Sequence, residues 1–184
     1  MAVLKSINPF DPSRIINYPQ VSDMNLALQL GRAHTTFLTY RHTSFEERAT
    51  LMNRVAVLLR ERSREFAEVI TREMGKPVTE AGAEVKKCAW VCEFYAENAA
   101  AFLEEKIVET EADESRVIFE PMGPILAIMP WNFPFWQVFR FLAPALAAGN
   151  VCLLKHASNV PGSALEIEKV FLEAGLPENV FKAL

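Results

Sequence analysis

The segment "MPWNFPFWQVFR", Met129 to Arg140, is aromatic, studded with proline and almost without charge, yet it carries one carboxamide, Asn132, and one guanidinium, Arg140. Pro130 and Pro134 bracket Asn132 and stiffen the backbone around it. Two roles suit an asparagine placed between a strand and a helix. It can cap the helix, for which Asn is among the best residues, or it can aim a non-titrating N–H at an oxygen that becomes negative in a transition state. Arg140 is the only charged residue between Pro121 and Leu154. A permanent cation in such company must reach water or find a partner, either a carboxylate far off in sequence or an anionic substrate held bidentately.

Lys155 and His156 end the apolar run "VCLL". Open parallel sheets bind ligands outside the carboxyl ends of their strands, so Lys155 is either a solvated terminus or a donor to sugar hydroxyls or phosphate. Other candidates carry less. "EMGKP" lacks the earlier glycine and the following Ser or Thr of a phosphate loop and suits a helix end. Cys88 and Cys92 share an apolar stripe with no further ligands, which favours packing over metal, and burial inside a strand would blunt the Cys152 thiol. No metal site is expected, and His34 and His42 have no evident partners.

These residues need elements to position them. Ser22 can cap a helix to about Tyr40, and Ser44 with Glu47 forms a capping box before a longer helix carrying Leu51, Val55, Leu58, Phe66 and Ile70. Gly75 and Pro77 stop that helix. A further helix over about 78–103 carries Ala81, Val85, Cys88, Cys92, Tyr95, Ala99 and Phe102 on one stripe. Then "EEKIVETEADES" turns densely acidic, as an exposed connector would. Beyond it come strands "RVIFEP" and "GPILAIMP", the second expected to be buried on both faces, a helix over about 134–148, strand "VCLLK", a helix led by Pro161 and ending at Gly175, and the run "VFKAL". The fold class expected is α/β: a helical N-terminal region followed by the beginning of a Rossmann-like parallel sheet, incomplete, with an apolar edge left open. The expected organisation is a helical region over 1–110, an acidic connector and short strand over 111–123, and the start of a dinucleotide-binding sheet over 124–184.

The 184 residues are half apolar, 23% charged and carry a net charge of -4, a balance that suggests neither disorder nor a nucleic-acid partner. Five prolines and Arg140 cut the most apolar stretch, so no membrane helix is expected, and an odd three cysteines with no targeting pattern suit a cytoplasmic address.

Taken together, "EMGKPVTEAGAEV", "EPMGPILAIMPWNFPFWQVFRFLAPALAAGN" and "LLKHASNVPGSA" resemble the aldehyde dehydrogenase superfamily, the succinate-semialdehyde dehydrogenases in particular, over nearly the whole chain. The resemblance implies oxidation of an aldehyde to a carboxylic acid with NADP or NAD: a cysteine thiolate adds to the aldehyde, hydride leaves to the cofactor and water hydrolyses the thioester. It implies that Asn132 is the oxyanion donor and that Ile128, Pro130 and Trp131 lie along the cofactor. It makes Lys155 the donor to the adenosine ribose and puts His156 beside it in the cofactor site. Phe133 would wall the aldehyde tunnel, and Arg140 would take the substrate's distal carboxylate. Ser158 stands where many NAD-preferring members carry a glutamate, so a 2'-phosphate is not repelled and NADP should be accepted. Family members continue well past the point matching Leu184. The pyrophosphate turn, the general-base glutamate, the nucleophilic cysteine and the oligomerising strand of a homodimer or homotetramer would lie there, and the catalytic domain is absent. By itself the chain is expected to be inactive. The alternatives are a dehydrogenase for uncharged small aldehydes, with Arg140 paired internally, and a non-catalytic interaction module.

Overall fold

A computed structural model describes residues 3–184. The chain opens on an antiparallel hairpin, β1 (Val3–Ile7) and β2 (Ile15–Pro19), turned by Asn8 and Asp11, whose side chains accept backbone N–H groups of Phe10 and Ser13. No strand is evident here from the sequence, because prolines 9, 12 and 19 obscure the alternation.

Four helices follow: α1 (Asp23–Tyr40), α2 (Phe45–Glu61), α3 (Ser63–Met74) and α4 (Val78–Phe102). Ser22 caps α1 by accepting from Asn25 N, and Ser44 with Glu47 completes both halves of the capping box on α2. The single long helix expected from residue 45 to 74 is kinked at Arg62, whose φ and ψ of -102° and 18° leave the helical region. There the guanidinium lies over the Phe66 ring and pairs with Glu65 and with Glu173, so the kink brings α3 against later chain. Gly75 adopts φ 79°, the left-handed conformation that ends α3 and that glycine takes without strain.

The acidic stretch folds into a second small ladder, β3 (Lys106–Ile107) with β4 (Arg116–Val117), so "RVIFEP" contributes only its first two residues to a strand. Then β5 (Pro124–Met129), α5 (Trp136–Ala147), β6 (Val151–His156), α6 (Pro161–Glu173) and β7 (Phe181–Ala183) build a parallel sheet in the order β5-β6-β7. β6 is the central strand and is buried along both faces apart from Lys155. β5 departs from the expectation of two covered faces: it is an edge strand, and Leu126 and Ile128 stand exposed.

One apolar core joins helices and sheet, running from Ala33 to Ala183. Its spine is a series of aromatic contacts, Phe66 to Phe135, Phe135 to Phe139, Phe139 to Phe171 and Phe171 to Phe181, with centroids 5.4–6.2 Å apart. The turns after β5 and β6 are therefore seated on a continuous packed base.

Candidate active site

The parallel register sets Ile128 opposite Lys155 and Met129 opposite His156, so two strands end together on one rim. From that rim Pro130, Trp131, Asn132 and Phe133 run out as an exposed turn, and Pro134 and Phe135 dive back into the core. Lys155, near the end of β6, and Ser158, on the turn that follows it, are exposed. The rim thus gathers Ile128, Pro130, Trp131, Asn132, Phe133, Lys155 and Ser158.

Asn132 is not the cap of α5. The cap position falls at Phe135, with no capping side chain from its own segment. The first N–H groups of α5 go instead to a buried carboxylate from α4: Glu84 Oε1 accepts from Phe135 N at 2.9 Å and from Trp136 N at 3.0 Å. The Asn132 carboxamide is exposed and makes no hydrogen bond with the described residues. Glu84 also pairs with Lys76, whose ammonium sits 3.6 Å from the centre of the Phe133 ring.

α6 is closed in the same manner. Glu73, at the end of α3, accepts from Gly162 N and Ser163 N, both at 2.7 Å, and from Ser163 Oγ at 2.8 Å. Burial pushes the Glu73 carboxyl above the usual carboxylate range, against the lowering effect of these donors. Gly162 is required for the approach: a Cβ there would lie 2.7 Å from the Tyr18 hydroxyl and 2.8 Å from Glu73 Oε1. A helix N-terminus after a parallel strand is a ready anion site, yet both here already hold an internal carboxylate. Neither can receive a pyrophosphate without meeting like charge. The residues present fit the ribose and adenine side of a dinucleotide, with an apolar Ile128, a cationic Lys155 and a Ser158 that offers no carboxylate to a 2'-phosphate.

His156 has a different role from the one its position suggested. It is buried, its Nδ1 accepts from Ala157 N and its Nε2 lies 2.9 Å from Pro134 O. With Nδ1 accepting, Nε2 carries the proton and donates. Burial lowers its pKa below the ordinary 6.5. The ring ties β6 to the Asn132 turn and has no nitrogen left for a cofactor.

Phe133, Trp136 and Gln137 line a cleft of about 420 Å³ against Glu80, Ala83 and Lys87 of α4, with the Lys87 ammonium 4.0 Å from the Trp136 ring centre. Arg140 stands one helical turn beyond Trp136 and Gln137, exposed, and forms no ion pair within 4 Å among the described residues. Cys88, Cys92 and Cys152 are all buried, and burial pushes the Cys152 thiol up to about 12. None suits nucleophilic work at neutral pH.

Sequence reasoning did not find Glu73, Lys76 or Glu84. A signal existed, since Glu73 and Glu84 continue the apolar stripes of Phe66 and Ile70 and of Ala81, Val85 and Cys88, where a carboxylate must have a buried partner.

Residues 2–184 match the model of the aldehyde dehydrogenase family. A probable NADP-dependent succinate-semialdehyde dehydrogenase of Synechocystis is 47% identical over 98% of this chain and 40% of its own length. The corresponding NADP-dependent enzyme of Mycobacterium avium is 42% identical over 98% of the chain and 39% of its own length. A solved succinic semialdehyde dehydrogenase of Streptococcus pyogenes, in complex with NADP+, superposes with a TM-score of 0.94 at 36% identity, over 98% of this chain and 40% of that one. The chain therefore spans about two fifths of the length of these relatives. No helix among the described residues is long and apolar enough to cross a membrane.

Proposed function

Because the chain belongs to the aldehyde dehydrogenase family, we propose that it is the amino-terminal part of a longer enzyme that oxidises succinate semialdehyde, or a similar short aldehyde acid, to the dicarboxylate with NADP or NAD. The observation that carries this reading is the Asn132 carboxamide: it stands exposed at a strand end, relieved of helix capping by Glu84. An asparagine left without an internal partner beside a cleft is available to a ligand oxygen. A thiolate from beyond this chain adds to the aldehyde carbon, and Asn132 donates its N–H to the oxygen as negative charge develops there. Phe133 and Trp136 keep water from the reacting carbon, while Arg140 receives the distal carboxylate along the same face of α5. A bound nicotinamide dinucleotide supplies the hydride acceptor. Lys155 and Ser158 face its ribose, and the absence of a carboxylate at Ser158 favours NADP, the cofactor named for the relatives.

The reading with an uncharged aldehyde pairs Arg140 internally; Arg140 is instead exposed and forms no ion pair within 4 Å among the described residues, so its guanidinium is open to a substrate carboxylate. Two experiments test the proposal. Reading the gene past the codon for Leu184 should show an open frame with a cysteine and a glutamate in family context, whereas an immediate stop refutes a catalytic product. In the longer protein, Arg140→Ala should weaken kcat/KM for succinate semialdehyde roughly tenfold or more, with a neutral aldehyde of equal length little changed. Equal losses on the two substrates refute the carboxylate assignment.

A further inference from the structure

The Lys76–Glu84 pair is almost sealed from water, its side chains 8% and 2% exposed. Such pairs cost desolvation and are weak contributors to net stability, so their presence calls for another reason. What the pair holds supplies it. Glu84 Oε1 takes the two N–H groups that follow the turn, at Phe135 and Trp136. Lys76, reached through its ion pair with the other oxygen, lies against the face of Phe133. From β6, His156 donates to Pro134 O. Phe133, Pro134, Phe135 and Trp136 are thus each gripped by one buried group, while Asn132 itself makes no contact of this kind. A surface amide whose immediate downstream backbone is fixed by a buried ion pair has its reach and direction set by that pair.

We propose that Lys76 and Glu84 are positioning residues for Asn132 and Phe133: the carboxylate fixes the backbone that carries the amide, and the ammonium fixes the ring that walls the cleft. The proposal rests on the reading of Asn132 as an oxyanion donor. A displacement near 1 Å at such a group can cost about 100-fold in rate, so loosening the pair must lower kcat more than it weakens cofactor binding, because the gripped residues Phe133–Trp136 lie beyond Ile128, Pro130 and Trp131, and Lys155 and Ser158 belong to β6 and the turn after it. In the longer protein, Glu84→Gln keeps shape and an acceptor but releases Lys76, and the expected result is a kcat per folded molecule lowered roughly 10- to 100-fold, with the Kd for NADP within about twofold of its original value. Lys76→Met should lose rate likewise, and Lys76→Arg, which keeps the cation, should recover most of it.

A pair that serves stability alone moves the unfolding midpoint and leaves kcat per folded molecule unchanged, which overturns the proposal. If Glu84→Gln does not fold, the two Lys76 variants decide: a loss with Met recovered by Arg supports positioning, and equal rates overturn it. Asn132→Ala made alongside separates the two levels. A drop there with none at Glu84→Gln overturns the positioning role only, and no drop at Asn132→Ala overturns both.

Discussion

Removing the Glu73 carboxylate should cost the protein a measurable share of its stability at one defined place. The side chain is 2% exposed and accepts from Gly162 N and Ser163 N at 2.7 Å and from Ser163 Oγ at 2.8 Å. Glu73→Ala leaves two buried N–H groups without an acceptor, at about 1–3 kcal/mol each, and water entering the emptied space offsets part of that. We expect a loss of about 3 kcal/mol, or a midpoint lowered by roughly 6–12 °C for a chain of this size. The assay is chemical and thermal unfolding combined with amide exchange, in which Gly162 and Ser163 should lose protection first. Gly162→Ala provides a cycle, because its Cβ would meet both the Tyr18 hydroxyl and Glu73 Oε1. In the Glu73→Ala background one of those clashes is gone, so the double variant should be more stable than the sum of the two losses. A Glu73→Ala protein within about 0.5 kcal/mol of the parent, with Gly162 and Ser163 still protected, would refute the capping account.

Burial holds the His156 pKa below 6.5, so just beneath that pH the folded chain binds fewer protons than the unfolded chain, and stability falls as the pH drops through the window. His156→Gln should flatten that part of the stability profile in urea titrations from pH 7 to 5; an unchanged slope contradicts the tie to Pro134. In the longer protein, Ser158→Glu should shift the ratio of kcat/KM for NADP over NAD downward by roughly tenfold or more, and an unshifted ratio removes Ser158 from the ribose site. Thiol titration of the native chain should leave Cys88, Cys92 and Cys152 unreacted until denaturant is added, because all three are buried.

Local signals in the sequence carried well. Ser22, the Ser44 and Glu47 box, Gly75 and Pro161 mark helix ends that the structure shows within a residue or two, because each acts on its own neighbours. The alternation of strand and helix after residue 123 is equally local in origin. What escaped depends on partners distant in the chain. Glu84 serves N–H groups 51 and 52 positions later and Glu73 serves groups 89 and 90 later; spacing announces a buried carboxylate but cannot say which helix it closes. His156 was placed correctly at a strand end, yet its burial follows from the Pro134 carbonyl folding back over it. The exposure of β5 reflects its place at the sheet edge, which an apolar hexapeptide does not encode.

The role proposed for Asn132 is to meet charge on a substrate oxygen, free of the fold's own hydrogen bonding. The direct measurement is steady-state kinetics of Asn132→Ala in the longer protein, with folded content and NADP affinity measured on the same sample. The expected result is kcat lowered roughly 100- to 1000-fold with stability and NADP binding preserved, since the side chain has no internal partner to lose. Turnover equal to that of the parent protein would contradict it.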